Sequence, residues 1–161
     1  MSFKYMINRH DILLTRSKRV EHMARDYVVG LNPGAVSTIA NALGIAASIR
    51  ATVTYSDLVQ DVTLPSATHS GIERRIECEG GEILATADKK LVDDIIIHLT
   101  NHSYAEEGVI AAALVASRGR PSSAYVTYRT GLGSKSTLKS ISERWATDLN
   151  EIYRYFKTIG R

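Results

Sequence analysis

Apolar residues recur at helical spacings through the first third of the chain. Over residues 9–29 they fall three or four positions apart, which predicts an amphipathic helix, and the Asn-Pro-Gly sequence at 32–34 predicts its end. The small side chains of Ala35–Ser48 predict a second helix, most of it buried. The stretch 50–59 stays ambiguous, because its first half suits a strand and its second half suits a helical turn.

A hairpin pattern follows. Residues 64–71 are rich in turn formers, and two short runs flank the Gly-Gly pair at 80–81, which predicts a β-hairpin over about 72–86. Asp88 is placed to cap a helix that runs to about Thr100, with one apolar face formed by Leu91, Ile95 and Leu99. We expect this helix to break at Asn101–Ser103.

Start and stop signals predict three helices in the last third of the chain. The first covers Ala105–Ser117 and ends at the Arg-Gly-Arg-Pro sequence of 118–121. A short second helix begins at Ser122 and stops at the glycines of 131–133. Ser134 is a natural N-cap for a third helix, whose inward stripe is Leu138, Ile141 and Trp145.

These elements predict an α+β fold that is mostly α. A helical N-terminal part with a β-hairpin, residues 1–102, is followed by a trihelical, helix-turn-helix-like C-terminal part, residues 103–161. The role of residues 1–102 is left open by the pattern.

Composition narrows the class of protein. Of the 161 residues, 44% are hydrophobic and 23% are charged, which is typical of a packed globular protein. Cys78 is the single cysteine, so neither an internal disulfide nor a cysteine-based zinc site is expected. The longest uncharged apolar stretch is too short to span a bilayer, and the first residues lack a signal-peptide pattern. We therefore expect a cytoplasmic protein without a membrane partner.

Charge is distributed unevenly along the chain. Residues 1–102 hold 11 basic and 12 acidic residues, whereas residues 103–161 hold 9 basic and 5 acidic ones. The net charge of +3 therefore originates in the last third. Positive charge concentrated in one segment is typical of proteins that bind nucleic acid. The alternative is that these charges only form a solvated surface.

The third predicted helix, 134–146, is the candidate recognition helix. In helix-turn-helix proteins the N-terminal end of this helix meets the base edges in the major groove, and nearby cations hold phosphates. We expect the turn that contains Arg118 and Arg120 to hold the phosphate backbone of the DNA. The predicted DNA-binding residues are Arg118, Arg120, Ser134, Lys135, Ser136, Thr137 and Lys139.

The same segment resembles a known family. An Ala-rich stretch at 110–114 is followed by Gly119-Arg120-Pro121-Ser122, by Gly131-x-Gly133-Ser134-x-Ser136-Thr137-Leu138 and by Trp145. Over about residues 105–148 this order resembles the N-terminal DNA-binding domain of KfrA-type plasmid regulators. The resemblance implies a helix-turn-helix that binds double-stranded DNA, in a bacterial or mobile-element transcriptional regulator.

The sequence also permits functions other than DNA binding. A structural subunit of a virus or another assembly is the alternative, with the basic segment touching nucleic acid or a neighbouring subunit. The spacing of Asp94, His98 and His102 permits a metal site on one helical face, but an exposed helix end explains it more simply. No catalytic motif is present, so we expect neither an enzyme nor a cofactor.

The C-terminal helix predicts self-association. Beyond the residues that a trihelical core can bury, an apolar stripe continues through Leu149, Ile152 and Phe156. Exposed on a monomer, this stripe favours a homodimer. Docking of the helix onto residues 1–102 is the intramolecular alternative.

Overall fold

The computed structural model describes residues 25–66, 68–132 and 138–159, with the side chains of the last range described from Ser140 to Thr158. Residues 25–30 are helical. The helices are α1 (Pro33–Ser48), α2 (Tyr55–Val59), α3 (Thr86–Glu107), the 3-10 helix η1 (Ala111–Leu114), α4 (Ser123–Gly131) and α5 (Leu138–Ile159). The strands are β1 (Thr63–Pro65), β2 (Glu73–Arg75), β3 (Cys78–Glu79), β4 (Glu82–Ile83), β5 (Ala116–Ser117) and β6 (Arg120–Pro121).

The strands form three separate antiparallel pairs, β1 with β2, β3 with β4 and β5 with β6. The coarse prediction of an α+β fold that is mostly α is therefore confirmed. Among the described helices, none is long and apolar enough to cross a membrane.

Helix α1 confirms the second predicted helix and starts two residues earlier. Pro33 stands in its first turn, where the missing N–H of proline costs no helical hydrogen bond. Its buried face carries Ala35, Ile39, Leu43, Ala46 and Ala47. Of the first predicted helix, 9–29, only residues 25–29 are described, and they are helical.

The predicted β-hairpin is confirmed at its centre only. Strands β3 and β4 pair across Gly80 and Gly81, whose φ angles of 61° and 84° suit glycine. Strand β2, which the prediction assigned to the same hairpin, pairs instead with β1. The ambiguous stretch 50–59 contains both alternatives, since Val53 forms a bridge with Val115 and α2 follows.

Helix α3 is longer than predicted at both ends. It begins at Thr86, and Asp88 is not its N-cap. The Asp88 carboxylate instead accepts two hydrogen bonds from the Arg74 guanidinium, at 2.8 and 2.7 Å. The helix ends at Glu107, and Gly108 follows with a φ of 71°, a common C-terminal stop.

The helix break expected at 101–103 does not occur, because polar side chains near this end of α3 pack into the core. Thr100 and Ser103 are fully buried. The Thr100 hydroxyl accepts the Ala112 N–H at 3.0 Å, and the Ser103 hydroxyl donates to the Val109 carbonyl at 2.8 Å. These two hydrogen bonds hold residues 109–112 against α3.

The prediction of a helix over Ala105–Ser117 is wrong. Its first three residues complete α3, and η1 and β5 follow. Residues 109–116 are all buried, and Val53 bonds to this segment through its N–H to Leu114 and its carbonyl to Ala116, both at 2.8 Å. An apolar run buried on all sides has no periodicity that distinguishes a helix from an extended segment.

The trihelical arrangement therefore lacks its first helix. The second helix is confirmed as α4, with the Ser122 hydroxyl accepting the Tyr125 N–H at 3.2 Å. The third is α5, described from Leu138, and its expected cap Ser134 lies outside the described residues. The Trp145 indole N–H donates to the Ala113 carbonyl at 2.7 Å, which ties α5 to η1.

One core joins residues on both sides of the division predicted at 102, which falls inside α3. Helix α5 packs against α1, and Ile141 and Ile152 are buried. Leu149 and Phe156 are partly buried against the same core. The stripe is thus covered within one chain, as in the intramolecular alternative, and it no longer argues for a homodimer.

Candidate functional site

The hairpin formed by β5 and β6 presents two arginines. Ser117 pairs with Arg120, which leaves Arg118 and Gly119 as a two-residue turn. Their φ angles are 52° and 74°, and positive φ at both positions is the requirement of a type I′ turn. Arg118 thus adopts a left-handed conformation that is uncommon outside glycine. Both arginines are exposed.

A hydrogen-bonded cluster from α2, α3 and α4 lies next to this hairpin. Tyr55 donates its hydroxyl proton to Asp93 at 2.6 Å, and Ser123 donates to the same carboxylate at 2.9 Å. The Lys89 ammonium donates to Ser123 at 2.5 Å and to Asp93 at 3.3 Å. Asp93 therefore organises three donors.

Tyr55 is the buried member of the cluster. Burial raises the pKa of its hydroxyl well above the usual value, and the neighbouring Asp93 carboxylate raises it further. Tyr55 therefore acts as a neutral donor. The Lys89 ammonium lies 5.1 Å from the centroid of the Tyr55 ring, a distance typical of a cation–π contact.

The hairpin and the cluster border an open cleft of about 500 Å³. It is lined by Tyr55, Lys89, Ser117, Arg118, Arg120, Pro121 and Ser123. Three of these side chains are cationic and none is acidic. The neighbouring acidic side chains do not belong to the lining. Asp93 accepts a hydrogen bond from Ser123, and Glu82 accepts one from Ser117 at 2.5 Å. We call this site the basic cleft. Its cations and hydroxyls are suited to binding an anion.

The structure brings together only part of the predicted site. Arg118 and Arg120 both line the basic cleft. Of the others, Ser134, Lys135, Ser136 and Thr137 lie outside the described residues, as does the side chain of Lys139.

Sequence reasoning missed Lys89, Ser123 and Tyr55. A signal existed for Lys89, because Lys89 and Asp93 stand four residues apart on a predicted helix. Ser123 directly follows Ser122, the predicted start of the second helix, and lies in the first turn of α4. No local signal marks Tyr55, whose partners are 38 and 68 residues away along the chain.

The histidine-containing face of α3 is occupied by ion pairs. Asp94 pairs with Lys90 at 2.9 Å and with Arg25 at 3.5 Å, and His98 contacts Asp26 at 3.3 Å. Burial lowers the pKa of His98, and the nearby His102 lowers it further. Within the described residues, no group of three or more histidine, cysteine or acidic side chains is arranged to hold a metal ion.

Comparisons with family models, with curated proteins and with solved structures each gave no match for this chain. Any functional inference therefore rests on the basic cleft and on the sequence.

Proposed function

We propose that the protein binds double-stranded DNA, with Arg118, Arg120 and Lys89 of the basic cleft contacting backbone phosphates. The observation that carries this proposal is the grouping of three cations around one cleft whose lining contains no acid. Phosphate contacts supply much of the affinity of DNA-binding proteins, and arginine suits them because its planar donors match phosphate oxygens.

The pairing of the arginines supports this role. Arg74 and Arg129 each form a bidentate pair with an aspartate of the protein. The side chains of Arg118 and Arg120, by contrast, form no hydrogen bond or ion pair with any described residue, so their guanidinium donors are available to a ligand. Arg154 on α5 is also exposed, and its side chain pairs with none of the residues that the structure describes, but it does not line the cleft, which makes it a matched control.

The predicted contacts of the segment at 134–139 belong to the same proposal. Lys135 and Lys139 would add phosphate or base contacts near the start of α5, and α5 packs against β6, the strand that carries Arg120. Transcriptional control is the use of DNA binding that the KfrA-type resemblance favours. Because the first helix of that motif is absent, the proposal depends on the cleft and not on the motif.

The test is a titration of a labelled duplex, followed by fluorescence anisotropy between about 50 and about 200 mM salt. For Arg118→Ala/Arg120→Ala we expect weaker binding and a slope of log K against log salt that is flatter by about 2. Arg154→Ala should leave the affinity and the slope nearly unchanged. No duplex binding by the intact protein, or an unchanged slope in the double variant, would contradict the proposal.

A further inference from the structure

Ser123 is an exposed serine whose hydroxyl contacts three other side chains. Its oxygen lies 2.5 Å from the Lys89 ammonium, 2.9 Å from the Asp93 carboxylate and 3.0 Å from the Tyr55 hydroxyl. Most side-chain hydrogen bonds are made to the backbone or to water, so this arrangement is unusual for an exposed residue. It is not needed to start α4, because the Ser122 hydroxyl already caps that helix.

The cluster has the parts that activate a serine nucleophile. Such a serine needs a base that accepts its proton and a third group that orients the base. Asp93 accepts the hydrogen bond of Ser123, and Tyr55 donates to the same carboxylate at 2.6 Å, which fixes its position. The Lys89 ammonium donates to the serine oxygen, where it stabilises the negative charge that develops on deprotonation. No linear motif marks this cluster, because its members come from three helices.

We infer that Ser123 is a nucleophile that attacks a phosphodiester of bound DNA and cleaves the strand by transesterification. The inference rests on the proposed DNA binding and adds a reaction to it. Ser123 lines the same cleft as Arg118 and Arg120, and no acidic side chain belongs to that lining. Cations placed around a transferring phosphoryl group stabilise the charge on its oxygens, so the arginines would serve the reaction as well as binding.

The reaction is an exchange of one phosphate ester for another. The Oγ of Ser123 forms a bond to phosphorus while the bond from phosphorus to one deoxyribose oxygen breaks. The serine proton passes to Asp93, and the Lys89 ammonium gives a proton to the leaving oxygen. Asp93 then returns its proton to Lys89, with which it pairs at 3.3 Å. The products are a serine phosphodiester on one strand end and a free hydroxyl on the other, and attack by that hydroxyl reverses the step.

The test incubates the protein with negatively supercoiled plasmid in EDTA, which suppresses contaminating metal-dependent nucleases, and stops the reaction with SDS. A plasmid offers phosphodiesters in many sequence contexts, so the target sequence need not be known. We expect nicked or relaxed circles and protein that stays linked to DNA in SDS. After nuclease digestion, mass spectrometry should find the remaining nucleotide on the peptide that contains Ser123.

The variants separate the reaction from binding. Ser123→Ala should form no adduct, yet bind a duplex in the anisotropy titration about as tightly as the intact protein. Asp93→Asn keeps the shape of the side chain without the base and should slow adduct formation by about 100-fold. Ser48→Ala is the control and should react at the original rate. Ser48 is an exposed serine outside the cleft, and its hydroxyl donates to a backbone carbonyl at 2.7 Å.

The two proposals fail differently in these experiments. If the intact protein binds the duplex but forms no adduct with the plasmid, the nucleophile inference is wrong and DNA binding stands. If it neither binds the duplex nor forms an adduct, both proposals are wrong. Adduct formation that survives in Ser123→Ala, or a nucleotide found on another residue, would place the reaction elsewhere and also overturn the inference.

Discussion

The ammonium of Lys89 on α3 lies 2.5 Å from the hydroxyl oxygen of Ser123 on α4. The two residues are 34 positions apart in the chain, and both also contact Asp93. The part of the basic cleft formed by Lys89 and Ser123 therefore depends on how α3 packs against α4. This packing places a third cation, Lys89, in the same lining as the two arginines of the hairpin.

Lys89→Gln should weaken duplex binding and flatten the salt dependence by about one phosphate contact. The variant removes a charge from the cleft and leaves Asp93 without its cation, so repulsion of phosphate adds to the loss. The matched control is Lys90→Gln, because the side chain of Lys90 is 77% exposed and pairs with Asp94 outside the cleft. Equal losses in the two variants, measured by anisotropy titration, would contradict a specific role for Lys89.

Arg118→Gly should separate stability from binding. Arg118 has a φ of 52°, a conformation that costs a non-glycine residue about 1–2 kcal/mol and glycine nothing. Allowing for the greater freedom of glycine in the unfolded chain, we expect the free energy of unfolding to rise by up to about 1 kcal/mol. DNA affinity should nevertheless fall, because a phosphate donor is lost. Urea denaturation and anisotropy check the two expectations, and unchanged affinity would remove Arg118 from the site.

Asp148→Asn should destabilise the protein. Asp148 is buried on α5, accepts two hydrogen bonds from Arg129 at 2.9 and 2.7 Å and accepts the Tyr125 hydroxyl at 2.6 Å. Removing its charge leaves the largely buried Arg129 without a counter-charge, at a cost of about 3 kcal/mol. Glu143→Gln, at an exposed position on the same helix, should change stability by less than about 0.5 kcal/mol. A similar small change for Asp148→Asn in urea denaturation would contradict the account of how α4 is joined to α5.

The pair formed by Arg74 and Asp88 predicts a pH dependence. Hydrogen bonding to Arg74 holds the pKa of the Asp88 carboxyl below its usual value. A lowered pKa in the folded state contributes stability above the unfolded pKa, and that stability is lost as the pH falls through the folded value. Because the Arg74 side chain is 42% exposed, Arg74→Ala should cost only about 1 kcal/mol at pH 7.

This difference should shrink below about pH 4, where Asp88 becomes protonated in the unfolded chain. Arg75→Ala, at the exposed neighbouring position, is the control and should show no such pH dependence. Stability measured across the acid range checks this expectation. A destabilisation by Arg74→Ala that is the same at all pH values would show that the ion pair contributes nothing.

Local patterns predicted those elements whose limits are set by local chemistry. Small apolar residues mark α1, the glycine pair marks the turn between β3 and β4, and Ser122 marks the start of α4. Each of these signals acts within a few residues. Arg118 and Arg120 were named as candidates from local chemistry as well, because they lie in a turn of the predicted helix-turn-helix, within the basic last third of the chain.

The errors fall where tertiary contacts decide the structure. Thr100 and Ser103 resemble the end of a helix in the sequence, but their hydroxyls form hydrogen bonds with backbone groups of Ala112 and Val109, beyond the end of α3. Residues 109–116 are apolar enough for a helix. Part of this run is extended instead, because Val53 forms backbone hydrogen bonds with it. Tyr55 lies at the cleft because it forms hydrogen bonds with Asp93 on α3 and Ser123 on α4. No local pattern in the sequence identifies these partners.

The most direct measurement of the central proposal is hydrogen–deuterium exchange of the protein with and without duplex DNA. We predict that DNA slows exchange in the hairpin at 116–121 and in the first turn of α4, because a bound phosphate restricts both. Residues 63–65 and 73–75, which carry β1 and β2 and do not line the cleft, should exchange at the same rate in both states. Saturation with DNA that leaves the hairpin and the start of α4 unchanged would contradict the assignment of the basic cleft as the DNA contact.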